Sequence, residues 1–169
     1  MPFSFRLTFR QACLLGSAMA FALVIIAVLL QAFADFHPCS LCILQRVVFM
    51  ALGVVFLLAA WHQPARVGRA LYGVILLCLT LIGLFIAARH VWLLHLPAAE
   101  QMPCGPGLAY LWENYPIMDS LRFMLQGTTQ CSETTELLLG LTLPIWSLLG
   151  FSGLFAYILF LLFPRSASQ

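Results

Sequence analysis

Two cysteines three residues apart stand in the stretch Pro38-Cys39-Ser40-Leu41-Cys42-Ile43-Leu44-Gln45-Arg46, with an arginine four residues beyond the second. Residues four apart are neighbours on a helix, so Arg46 belongs one turn from Cys42. The thiolate is the nucleophile of thiol–disulfide exchange, and a nearby cation or the positive end of a helix favours it. Both are offered here, because Pro38 marks a boundary and an apolar run begins at Ile43. The expectation is redox chemistry by Cys39 and Cys42 at a membrane surface. The bland alternative is a static disulfide or two packed thiols.

A second pair, Cys104 and Cys131, shares one long polar segment. Joined, the two would close a loop of about 27 residues, a staple worth roughly 3 kcal/mol by loop entropy. The turn-rich run Pro103-Cys104-Gly105-Pro106 would also expose Cys104 to an attacking thiolate. Staple and redox shuttle both stand on this pattern. Arg46 lies inside an apolar run, where an ionisable residue is by default a functional hypothesis; the alternative is a side chain that snorkels to the surface. Arg89-His90 ends another apolar run at the depth expected for the Cys39/Cys42 turn, within reach of a ligand bound there. Cys13 and Cys78 read as packing residues, and His37, His62 and His95 as surface or interface residues. A four-cysteine zinc site would be signalled by a second Cys-x-x-Cys, and the chain has none.

The elements that must position these residues are membrane spans. The chain of 169 residues is 63% hydrophobic and 8% charged, and it has no lysine. A soluble domain carries about 25% charged residues. Apolar runs are expected at about 13–33, 43–61, 70–89 and 144–163, each long enough to cross a bilayer. The first is longer than a signal-peptide core, so it reads as an uncleaved span despite Ala32-Phe33-Ala34 after it. Backbone in lipid is satisfied only in a helix or a closed barrel, and runs without alternation exclude the barrel. The fold class expected is all-α: one membrane domain over residues 1–169, an integral four-helix bundle. The small net charge of +2 gives no case for nucleic acid.

Four spans put both termini on one side. Arg6, Arg10, Arg66, Arg69 and Arg165 then share that side with no acidic residue. Asp35, Glu100, Glu113, Asp119, Glu133 and Glu136 fall on the other, with Arg46, Arg89 and Arg122. The positive-inside rule places the termini and the 62–69 loop in the cytoplasm. The loops at about 34–42 and 90–143, which carry the cysteine pairs, then face outward, into an oxidising compartment. Within the long loop, Pro116 to Gln126 has a helical pattern stopped by Gly127, and Leu137 to Leu143 is apolar but too short to span.

Taken together, these residues resemble the disulfide bond formation protein B (DsbB) family of bacterial inner-membrane oxidoreductases. The resemblance covers essentially the whole chain. It rests on the early Pro-Cys-x-x-Cys with Gln45-Arg46, on Arg89-His90, and on the Cys104/Cys131 loop. It also includes Leu139-Gly140-Leu141-Thr142-Leu143-Pro144 running into Trp146. It implies that a periplasmic DsbA-like thiol oxidase forms a mixed disulfide with Cys104 and frees Cys131. Electrons would pass to the Cys39–Cys42 disulfide, through a Cys39–Cys131 bond between the loops. Cys42 would then reduce a quinone, ubiquinone or menaquinone, held near Arg46 and His90. The resemblance thus implies catalytic roles for Cys39, Cys42, Cys104 and Cys131, with lipid and the quinone pool as further partners. One departure is Gln45, an uncharged residue before Arg46.

Two rival readings remain. A vitamin K epoxide reductase-like enzyme is also a four-span, quinone-linked thiol enzyme, but its active Cys-x-x-Cys comes late and its loop pair early. A non-catalytic tetraspan protein with structural disulfides would need neither Arg46 nor a quinone.

Overall fold

The computed structural model describes residues 8–33, 40–95, 116, 118–119, 122, 137–138 and 141–162. Four helices dominate them: α1 (Phe9–Phe33), α2 (Ser40–His62), α3 (Arg66–Leu94) and α4 (Leu143–Leu162). All four are long and apolar enough to cross a membrane. The fold is the expected all-α arrangement, apart from one two-residue antiparallel pair before α4, β1 (Leu137–Leu138) with β2 (Leu141–Thr142). Leu137 pairs with Thr142 and Leu138 with Leu141. The apolar stretch Leu137 to Leu143, too short to span, therefore contains a short strand pair before the last helix. In the expected helix Pro116 to Gln126, the described residues Met118, Asp119 and Arg122 are helical and exposed, and the Asp119 N–H donates to the Pro116 carbonyl at 3.0 Å.

The first three helices start three or four residues before their apolar runs do, for local reasons. The Thr8 N–H donates to Gln11 Oε1 at 3.0 Å and the Gln11 N–H to Thr8 Oγ1 at 3.4 Å. This reciprocal capping box satisfies orphan donors and starts α1 at Phe9. The helix α2 starts at Ser40, which brings Cys42 inside its first turn. It stops where Gln63 adopts a left-handed φ of 42°, its N–H donating to the Ala59 carbonyl at 3.2 Å, and Pro64 follows. Three residues then suffice to reverse the chain into α3. At 29 residues, α3 is about 43 Å long, more than the ~30 Å hydrocarbon core. Its ends therefore lie in or beyond the headgroup layers, which explains why it outruns the expected 70–89 at both ends.

The helices pack in chain order, α1 on α2, α2 on α3, α3 on α4, with a lighter α4–α1 contact closing the ring. Glycines receive aromatic rings across these seams. A Cβ on Gly16 would lie 2.8 Å from Phe56, and one on Gly53 would lie 2.9 Å from Phe21. Phe151 occupies the place of a Gly83 side chain, and its ring stacks on Phe49 at 3.8 Å and 6°. Small residues let helices approach where lipid supplies no hydrophobic drive for their association. Polar ties add to this: Ser17 Oγ donates to the Gly53 carbonyl at 2.9 Å, and Tyr157 Oη to the Ala12 carbonyl at 2.8 Å. Outside, Ile25, Ile26, Leu81, Ile82 and Phe85 are exposed, the pattern of a protein whose solvent is hydrocarbon.

The Gly83–Phe151 seam makes a prediction. Gly83→Ala forces the stacked ring to move and destabilises the bundle by about 1–3 kcal/mol. Gly153→Ala, where nothing lies within 4 Å of the added carbon, is neutral or stabilising. Thermal unfolding in detergent measures both.

Candidate functional site

Cys42 is the third residue of α2, in the turn whose N–H groups have no intrahelical acceptor. It is half-buried, between the fully buried Leu41 and the buried Gln45. One turn on, Arg46 shares its face. Both line a cavity of about 300 Å³ between α1, α2 and α4. Leu23, Ala27 and Leu30 of α1 form one wall, Leu143, Trp146 and Ser147 of α4 another, and Phe49 lies one turn below Gln45. Phe49 is the ring stacked on Phe151, so the bundle's aromatic layer closes the inner end of this space.

A guanidinium half-buried in an apolar bundle must have its donors satisfied. Here α1 does this: Arg46 Nη1 donates to Gln31 Oε1 at 2.6 Å and Nη2 to the Ala27 carbonyl at 3.3 Å. Neither acceptor is charged, and none of the four long helices contains Asp or Glu. The positive charge therefore stays uncompensated by any carboxylate among the described residues, at the cavity wall beside a thiol. Gln31 is the residue that the sequence reading passed over. It was visible as the lone polar side chain in the second half of the first apolar run.

His90 is fully buried on α3, and its Nδ1 lies 3.3 Å from Gln45 Nε2. With the amide nitrogen facing the ring, Nδ1 accepts and the ring proton sits on Nε2. Gln45 lines the cavity; His90 is not among the described lining residues. Gln45 thus touches both the cavity and His90, so the histidine orients a side chain that faces the cavity. Arg89 is half-buried, its guanidinium 5.6 Å from the Trp92 ring centroid. Cys39, Cys104 and Cys131 lie outside the described residues, as does most of the expected loops at 34–42 and 90–143. Cys13 is buried in the core and Cys78 is exposed on the outer face of α3.

Comparison with known proteins gives a consistent picture. A family model described as disulfide bond formation protein DsbB matches residues 9–161. Disulfide bond formation protein B of Methylobacillus flagellatus is 42% identical over 158 residues, covering 94% of this chain and 95% of that one. Its counterpart in Methylococcus capsulatus is 43% identical over 148 residues, covering 88% and 90%. That of Saccharophagus degradans is 38% identical over 149 residues, with the same coverage. No solved structure matches the chain.

The anchoring of Arg46 can be tested directly. Gln31→Leu removes its shortest acceptor and costs about 1.5–3 kcal/mol of stability, the range for a hydrogen bond to a charged group. Gln31→Glu keeps the acceptor and retains stability. Detergent unfolding curves of the two variants beside the parent give the difference.

Proposed function

Because the chain belongs to the DsbB family of disulfide bond formation proteins, we propose that it reoxidises a periplasmic DsbA-like thiol oxidase and delivers the electrons to a membrane quinone. The family and the four apolar helices make it a multi-pass membrane protein with a disulfide-forming oxidoreductase role. The observation that carries the finer reading is the cavity that Cys42 and Arg46 share. Its described lining is mostly apolar, it borders three helices long and apolar enough to cross a membrane, and the fixed cation in that lining, Arg46, stands beside a thiol. A bilayer-soluble, two-electron acceptor that becomes more negative on reduction fits those features. A quinone bound there supplies the two-electron oxidation.

The chain's own residues do the rest. The client's thiolate attacks the Cys104–Cys131 disulfide at Cys104, forming a mixed disulfide and releasing Cys131 as the thiolate. The client's second thiol resolves that bond and leaves with a disulfide, having lost two electrons and two protons. Cys131 attacks Cys39 and releases the Cys42 thiolate at the mouth of the cavity. Closure of Cys104 on Cys131 then leaves Cys39 and Cys42 as the reduced pair. Transfer of two electrons from that pair restores the Cys39–Cys42 disulfide. Arg46, held by Gln31 and Ala27, keeps positive charge at the point where negative charge develops, without a reorganisation step. Gln45 offers a polar amide to the same space, oriented by His90. The arginine pattern in the termini and the 62–69 loop supports an inner-membrane orientation with both cysteine loops in the periplasm.

The test is anaerobic quinone reduction by the purified protein, driven by a reduced DsbA-like oxidase. The parent is expected to give one quinol per client disulfide, and Cys42→Ser and Cys104→Ser none. Arg46→Met is expected to raise the quinone KM about 10- to 100-fold, the loss of one hydrogen bond to a charged group. No quinol from a folded, quinone-loaded parent sinks the reading.

A further inference from the structure

A second space in the bundle is larger than the one at Cys42. A cavity of about 820 Å³ lies at the opposite end, bordered by all four helices. Measured along α2, its Ala59 is about 25 Å from Cys42. We propose that this cavity holds an anionic phospholipid, its phosphate on Arg66 and Arg69 and an acyl chain inside.

Charge is the first argument. Arg66 and Arg69 line the mouth of the cavity and are exposed. The sequence has no Asp or Glu in residues 1–34, 36–99 or 137–169, so none of the four long helices offers these arginines a counter-charge. The Arg69 side chain is nonetheless held in place. Its Nε donates to the Pro64 carbonyl at 3.1 Å and its guanidinium sits 4.7 Å from the Phe9 ring centroid, which leaves the Nη donors for a ligand. The residue before α3, Ala65, provides no side-chain cap, so the first N–H groups of α3 add their positive potential beside the same two arginines.

The walls are the second argument. Behind the arginines the lining turns apolar, with Leu76, Ile158, Leu161 and Leu162. A soluble anion would satisfy the arginines and leave that space without a matching occupant. A phospholipid matches both parts, and the volume lies in the ~300–1,000 Å³ range of ligand pockets. The depth agrees too, since Arg66 and Arg69 occupy the first turn of a span, at headgroup level. The proposal does not depend on the redox reading, because none of its residues takes part in that relay.

The test uses the full chain in neutral detergent, with native mass spectrometry and thermal unfolding as readouts. The probes are dioleoyl phosphatidylglycerol, dioleoyl phosphatidylcholine and inorganic phosphate. Phosphatidylglycerol is expected to be retained one per chain, to raise the unfolding midpoint, and to bind at least about tenfold tighter than phosphatidylcholine. Arg66→Gln, an exposed change that breaks no side-chain hydrogen bond among the described residues, is expected to weaken that binding about fivefold. Adding Arg69→Gln brings it to the phosphatidylcholine level. Ala70→Phe, which fills the cavity from an exposed lining position, lowers retention of both lipids. Equal retention of the two lipids, unchanged binding in the double variant, or the same midpoint shift from inorganic phosphate overturns the proposal.

Discussion

The hydrogen bond from Arg46 to Gln31 sets the geometry on which the Cys42 end of this molecule depends. A guanidinium carried into a bundle with no carboxylates has two options: reach for water, or be satisfied by uncharged acceptors. The second option fixes α1 against α2 at the outer end of their seam, as Ser17 and Gly53 fix it deeper down. Because the acceptors are an amide and a backbone carbonyl, the charge is placed without being neutralised. A carboxylate in place of Gln31 would hold the side chain equally well and cancel much of its field. Holding a charge while leaving it available is the electrostatic condition for stabilising an anion that forms nearby.

The packing of the remaining helices serves the same space. The cavity exists because large and small residues alternate across the seams: rings fill the glycine notches at Gly16, Gly53 and Gly83, and no ring fills the gap above Phe49. Its third wall comes from the first turn of α4, which follows directly on the strand pair of Leu137–Leu138 and Leu141–Thr142. The long polar segment between α3 and α4 is thereby tied to the cavity wall within a few residues of its end. Gln45 and His90 complete the arrangement by linking α2 to α3 behind it.

The helices themselves were legible in the sequence, since four apolar runs free of acidic residues admit one solution in lipid. Their ends were less so. Hydropathy reports where hydrocarbon begins, whereas α1 starts at a capping box of Thr8 and Gln11 and α3 continues into the interface. The pairing of Cys42 with Arg46 followed from helical spacing alone. What the pair faces did not, because a helix with apolar residues on every side gives no sign of which side meets protein. Gln31 was passed over for the same reason: its partner lies 15 residues away on another helix. His90 was read as meeting a ligand; the contact it makes with Gln45 is a relation fixed by tertiary packing and invisible in spacing. The cavity at Arg66 and Arg69 was hidden too, since positive residues at that end already had a sufficient explanation in topology.

The stacked rings of Phe49 and Phe151 have a consequence for membrane energetics. They cross the bundle below the Cys42 cavity, and beneath them the seam is filled by Leu52, Phe56 and Leu154, all essentially inaccessible. The buried polar side chains of the helices are spent within the protein: Ser17 Oγ donates to the Gly53 carbonyl and Thr80 Oγ1 to the Leu76 carbonyl. Among the described residues the middle of the bundle is thus a plug of rings and leucines that keeps the space at Cys42 apart from the one at Arg66. An ion entering either space would meet hydrocarbon before it reached the other, at a desolvation cost of several kcal/mol.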